Sequence, residues 1–265
     1  MTEHSKPTNY HPPPTQIVPS RDLAIGASFE WLRAGWEDFR KAIKISLIYG
    51  FFVFLVSIFV AWLAWRLGGF VLLFSALSGF VFVAPLLAFG LYSVSRNLCE
   101  GREPDLGSTF SAIKRPFSNS LVYTLVLLVV FLLWARAGMM VQVFFPLGGD
   151  PEWGHILTFL GIGSAVGSIF ASVSYAASVF SLPMLANRDI DVITSVISSI
   201  NATLRNKPAM LVWAFLICLL TLVGFLTAGI GLIIIIPWLA YATWHGYRAT
   251  LDVSGVPILP RENQA

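Results

Sequence analysis

Charge is scarce in this chain of 265 residues, with only 12% Asp, Glu, Lys or Arg, against roughly a quarter in soluble domains. A sequence 56% hydrophobic, with mean hydropathy +0.75, has more apolar surface than a water-soluble core can take up. Lipid is the expected solvent. The formal charge is +3 and the basic residues form no contiguous patch, so nucleic acid is not expected as a partner. Cysteine is nearly absent: Cys99 borders a polar loop and Cys218 lies within an apolar run, which suits neither a disulfide framework nor a metal cluster. Histidine is also rare. His4 and His11 lie near the N-terminus, leaving His155 and His245. No glycine-rich phosphate loop, His/Cys metal spacing, Ser–His–Asp set or buried carboxylate pair is readable. No cofactor is expected, and catalysis is disfavoured. No apolar run precedes Ile45, so the first membrane helix itself would act as the insertion signal.

Long uncharged runs are what the sequence has instead. A helix crossing the hydrocarbon needs roughly 20 mostly apolar residues. Such runs occupy 45–65, 67–95, 116–145, 156–187 and 208–247, the last long enough for two crossings about a turn at Thr227-Ala228-Gly229-Ile230-Gly231. The first two are expected to be joined by a bend near Arg66–Gly69. The fold expected is all-α: about six transmembrane helices in one membrane domain over 23–251, between a proline-rich disordered tail, 1–22, and a short C-terminal tail, 252–265. Lys and Arg gather before the first run, between the second and third, between the fourth and fifth, and at the C-terminus. The connection bearing Asp150 and Glu152 has neither. Both termini are therefore expected in the cytoplasm of a bacterial inner-membrane protein.

The cytoplasmic segments are themselves patterned as amphipathic helices. Phe29, Leu32, Trp36, Phe39 and Ile43 recur at steps of three and four, as do Leu106, Phe110, Ile113 and Phe117, and Ile193, Val196, Ile197, Ile200 and Leu204. Glu30, Arg33, Glu37, Arg40, Lys41 and Lys44 take the other face of the first. Asp105 and Asp189 stand where N-caps would. Such stripes suit helices lying at the headgroup level, apolar side toward lipid. A register that places Lys41 on Arg115 and Arg205 also superposes Leu47, Leu121 and Leu211, and the aromatics Tyr49, Tyr123 and Trp213. Pro85 precedes Arg96 by the same interval as Pro237 precedes Arg248. The reading is a threefold repeat of interfacial helix, span, span.

Three segments carry a resemblance: Ser181-Leu182-Pro183-Met184-Leu185-Ala186-Asn187-Arg188-Asp189-Ile190-Asp191, Leu204-Arg205-Asn206-Lys207-Pro208-Ala209-Met210-Leu211-Val212-Trp213, and Ala242-Thr243-Trp244-His245-Gly246-Tyr247-Arg248. Together they resemble the DUF2189 family of proteobacterial integral membrane proteins, over about residues 23–251. The resemblance implies a bacterial inner-membrane protein of this architecture and no activity. A label of cytochrome oxidase type, sometimes given to members, conflicts with the histidine count, because haem–copper chemistry needs several intramembrane histidines.

Few residues stand out chemically. His245 is a titratable group beside Arg248, or an interfacial histidine within an aromatic belt. Arg136 is a charge far along an apolar run, a functional candidate or a snorkelling cation. Arg188, Asp189 and Asp191 make a compact charged turn, a helix cap or a seat for an acidic headgroup. Arg205 would join Arg188 and His245 were there an enzyme of membrane lipids. Ser164, Ser168 and Ser172, with Gly163 and Gly167, form a stripe for close helix packing or for a solute path. The leading expectation is a non-enzymatic accessory or scaffold protein engaging the lipid bilayer or a membrane protein complex; a small-solute transporter or channel and a membrane-lipid enzyme are the alternatives.

Overall fold

The computed structural model describes residues 17–107, 109, 132, 133, 136 and 153–259. Its elements are α-helices: α1 (Ala27–Lys41), α2 (Ile43–Leu87), α3 (Phe89–Cys99), α4 (Trp153–Ser178), α5 (Ser181–Asn187), α6 (Val192–Arg205), α7 (Lys207–Leu226) and α8 (Leu232–Thr250). Among the described residues three stretches are long and apolar enough to cross a bilayer: Ile43–Leu67, Gly161–Asn187 and Lys207–Leu226. The stripe of Phe110, Ile113 and Phe117, and the run 116–145, lie outside the described residues apart from isolated helical positions.

The bend expected at Arg66–Gly69 is absent, because α2 runs unbroken through it. Neither proline nor a polar cap interrupts the backbone there, and glycine costs a helix only about 1 kcal/mol. In apolar surroundings every N–H and C=O is best satisfied inside the helix. The other expected reversal is present. Residues 227–231 form a turn with Ala228 and Gly229 at positive φ, and the Gly231 N–H donates to Thr227 Oγ1 at 2.7 Å.

Helix α8 is the centre of the packing and touches α1, α2, α3, α5 and α7. Close approach is possible because glycine faces it. A Cβ on Gly35 of α1 would lie 2.5 Å from the backbone nitrogen of Ala242, and one on Gly50 of α2 would overlap the Ile233 carbonyl oxygen. That carbonyl is special. Pro237 stands four residues later inside α8 and has no N–H to return to it, so Gly50 packs against the stretch of helix that the proline weakens. Trp31, 3% exposed, lies edge-on to Trp213 of α7 and to Phe180 between α4 and α5.

The amphipathic helices have three faces rather than two. In α1 the residues turned to the protein are Ser28, Trp31, Gly35, Asp38, Phe39 and, at its end, Ala42. Phe29, Trp36 and Ile43, from the expected apolar stripe, are exposed. In α6 the buried side is hydroxyl-rich (Thr194, Ser195, Ser198, Ser199, Thr203), while Ile193, Ile197 and Leu204 are exposed. Small side chains suit this inner face because Ser199 Oγ bonds the Ala176 carbonyl at 2.7 Å and accepts from the Phe180 N–H at 3.1 Å.

The two helices also agree in register. With Lys41 set on Arg205, buried Ser28, Trp31, Gly35, Asp38, Phe39, Ala42, Ser46 and Tyr49 fall on Val192, Ser195, Ser199, Ala202, Thr203, Asn206, Met210 and Trp213, all buried as well. Thr194, Ser198 and Ala209 are buried in the second set alone. The junction residues share one backbone conformation, Ala42 at φ −111°, ψ 34° and Asn206 at φ −109°, ψ 36°.

Both chain flanks join this body. Residues 17–22, expected as tail, pack: Val18 is 3% exposed, and Ser20 bridges antiparallel to Leu251. The Arg21 N–H donates to the Thr250 carbonyl and the Asp252 N–H to the Pro19 carbonyl. The two flanks therefore leave on the same face of the protein. Beyond residue 251, Ile258 bridges to Arg188, and the Leu259 N–H donates to the Asn187 carbonyl. Of the expected N-caps, Asp105 directly precedes helical Leu106, but Asp189 lies in an extended link, and the cap of α6 is Asp191. Its carboxylate accepts from the Thr194 N–H at 2.8 Å and from the Thr194 hydroxyl at 2.6 Å.

Two outcomes check this packing. Gly35→Val should overpack α1 against α8 and lower stability by about 1–3 kcal/mol, read as a fall in thermal midpoint of the detergent-solubilised protein. Asp191→Ala should cost about 1 kcal/mol. Partial burial opposes ionisation of Asp191, yet the Thr194 bonds outweigh it and hold the carboxyl below its ordinary value. The cap's contribution is thus complete above the unfolded-state value and fades as pH falls through the lower folded one. Parent and Asp191→Ala should converge in stability toward acid, as followed by unfolding across pH.

Candidate functional site

Asp38 is where sequence and structure differ most. It falls on the inner face of α1, two turns beyond Trp31 and three residues after Gly35, and is only 5% exposed. A buried carboxylate needs donors, since desolvation otherwise penalises its charge heavily. Two arrive from other helices at the same oxygen. Ser95 Oγ of α3 donates to Asp38 Oδ2 at 2.7 Å, and His245 Nε2 of α8 lies 2.9 Å from it. The His245 ring keeps about a quarter of its surface exposed, whereas Asp38 is enclosed.

A second polar link lies along the same interface. Tyr241, one helical turn before His245, shares a 2.8 Å hydrogen bond with Ser46 of α2, which also bonds the Ala42 carbonyl. The α1–α2 junction is thus held to α8 by Asp38–His245 on one side and by Ser46–Tyr241 on the other.

A third cluster ties α3 to α5 and to the C-terminal segment. Arg96, 8% exposed, donates to the Ala186 carbonyl at 3.3 Å and to the Leu259 carbonyl at 3.2 Å, and pairs with Glu100 at 3.4 Å. The Ala186 carbonyl belongs to the last turn of α5, the end of a helix at which cations are favoured. Asn187 donates to Tyr247 Oη of α8 at 3.0 Å. Helices α3, α5 and α8 consequently meet one another.

The residues singled out from sequence divide sharply. His245 occupies a built site. Arg188 is a structural tie, its guanidinium donating to the Val256 carbonyl at 2.7 Å. The Asp189 N–H bonds the Pro257 carbonyl, while its side chain is exposed. Arg205 pairs with Asp22 at 3.1 Å on the surface. Arg248 is exposed at the end of α8, and Arg136 is exposed with its neighbours outside the described residues. Arg188, Arg205 and His245 each answer to a different partner and make no common site. Sequence reasoning passed over Asp38 and Arg96. Asp38 had one available signal: it shares a face with Trp31, Gly35 and Ala42, a stripe of aromatic and small residues in which a carboxylate is out of place.

The serine stripe of α4 is not an interior path. Ser164, Ser168 and Ser172 are exposed, and two of the hydroxyls turn back onto their own helix, Ser168 to the Ala165 carbonyl at 2.8 Å and Ser172 to the Ser168 carbonyl at 2.7 Å.

The buried pair should be strongly coupled. His245→Ala leaves an enclosed carboxyl group short of one partner and should cost about 1–3 kcal/mol. Asp38→Ala combined with His245→Ala should cost clearly less than the two single changes summed, a non-additivity measurable by a double-mutant cycle in detergent.

Comparison with known proteins touches this architecture at one place. No match was found among curated proteins or among solved structures. The family match is shorter than the 23–251 suggested by the quoted segments: it includes Ser181–Asn187 and excludes the segments around Trp213 and His245. Within it lie the last third of α2 and all of α3, α4 and α5, and this stretch, residues 72–187, matches the family model of DUF2189, described as a predicted integral membrane protein.

Proposed function

We propose that this chain is a non-enzymatic, multi-pass protein of a bacterial inner membrane, whose amphipathic helices rest at the cytoplasmic headgroup level and engage lipid or a partner complex. One observation carries the reading: α1 and α6 turn large apolar side chains outward. Phe29 is 59% exposed, Ile193 64% and Leu204 56%, while the inner face of α6 is mostly hydroxylated and that of α1 mixes Trp31 and Phe39 with Ser28, Gly35 and Asp38. In water such surfaces would be a liability; against acyl chains they are matched. The helices that follow them, α2 and α7, begin with stretches able to cross a bilayer.

A repeated unit of interfacial helix, span, span accounts for the shared burial register and junction geometry of α1–α2 and α6–α7. The meeting of α3, α5 and α8 fits the same scheme, each closing one unit. Cationic connections place this face, with both chain flanks, in the cytoplasm.

Neither a transporter nor a lipid enzyme gains a comparable observation. The α4 hydroxyls face outward, and the polar residues that headgroup chemistry would require are each tied to separate partners.

The test is depth. Single cysteines at positions 29, 37 and 193, in a background with Cys99→Ser and Cys218→Ser, would carry an environment-sensitive fluorophore in vesicles containing nitroxide lipids. Labels at 29 and 193 should be quenched by shallow nitroxides and the label at 37 should not. Equal quenching at all three positions would remove the interfacial reading.

A further inference from the structure

We propose that the lipid-facing edge of α1 binds anionic phospholipid, an inference that rests on the interfacial placement above and adds the class of ligand. Residues in a helix succeed one another by about 100°. Within α1, measured from Phe29, Trp36 falls roughly 20° to one side and Arg40 and Arg33 roughly 20° and 40° to the other; Ile43 and Lys44 open α2 just beyond the Ala42 junction. Two cations of α1 therefore border the apolar stripe, with Lys44 a third at its end. All three are exposed, and among the described residues none makes an ion pair or a side-chain hydrogen bond. Glu30 and Glu37, exposed at roughly 100° and 80° on that same side, are within a turn of Arg33 and Arg40, but with Lys41 and Lys44 the exposed cations number four against these two carboxylates.

The apolar side of the row has a fixed floor. Trp36 stacks on Phe39 with centroids 5.1 Å apart and planes 5° from parallel, and meets Trp238 of α8 edge-on at 5.2 Å. Trp238 is itself held, its indole N–H donating to the Leu32 carbonyl at 2.8 Å. Aromatic rings favour the headgroup level, where guanidinium and ammonium groups can reach phosphate. An acyl chain along Phe29, Trp36 and Ile43 would put its phosphate beside Arg33 and Arg40. The occupant indicated is a lipid rather than a free phosphate, because the cations are continuous with apolar surface. A net-negative headgroup is favoured because the exposed cations there outnumber the carboxylates four to two.

The full-length protein would be reconstituted in phosphatidylcholine vesicles containing traces of spin-labelled phosphatidylglycerol or spin-labelled phosphatidylcholine. The phosphatidylglycerol label should show the larger motionally restricted fraction in the parent protein. R33Q/R40Q/K44Q should reduce that preference several-fold, since each cation near an anionic surface is worth roughly a fivefold change in association. Arg21→Gln, a cation paired with Asp252 elsewhere, should leave it unchanged. Equal restriction of the two lipids by the parent, or an undiminished preference in the triple variant, overturns the proposal. Complete displacement of labelled phosphatidylglycerol by millimolar inorganic phosphate overturns the choice of lipid. The fluorophore at position 29 separates the failures: quenched by lipid without lipid preference, only this inference falls; unquenched, the interfacial placement falls with it.

Discussion

A carboxylate closed away from water is the constraint on which this architecture turns. Asp38 can be enclosed only if polar partners reach its carboxyl group, and they come from α3 and α8, far apart in sequence. To deliver them, α1 must lie close along α8, which is why Gly35 faces the Ala242 backbone and Gly50 the Ile233 carbonyl. An alanine at either glycine would push the helices apart and stretch the Ser95 and His245 bonds. Backbone proximity and polar pairing are therefore one feature seen at two scales.

The same economy governs the outside of the molecule. In the interfacial setting proposed above a helix meets protein, lipid and water together, and α1 has a face for each: small residues, Trp31 and Phe39 toward protein, Phe29 and Trp36 outward, Glu30, Glu37 and Lys41 on the remaining side. Helix α6 follows the pattern with Ser199 in the place of Gly35 and Ala202 in the place of Asp38. Buried Ser195, Ser198 and Ser199 can be accommodated because each hydroxyl finds a backbone partner.

The described chain flanks complete one end of the helical body without adding helices or strands of their own. Residues 18–23 are held by Ser198 and Asn206 of α6 and by the residues following α8, while 256–259 are held by Arg96, Asn187 and Arg188. Arg96 and Arg188 had the look of ordinary cytoplasmic cations. Both instead spend their hydrogen bonds on carbonyls that no helix satisfies.

Sequence by itself determined the solvent, the helical class, the turn at Thr227–Gly231 and the existence of amphipathic segments, because each depends on local quantities: hydropathy over a window, glycine in a reversal, spacing of three and four. It also marked His245, though not its partner. Only the tertiary structure decided that α2 passes Arg66–Gly69 without a break, that Asp191 rather than Asp189 caps α6, and that the α4 serines face outward. Periodicity tells which residues share a face; it does not tell what the face meets. Asp38 is the clearest instance, a charge that reads as solvent-exposed until Ser95 and His245, 57 and 207 residues farther along the chain, are brought to the same carboxylate oxygen.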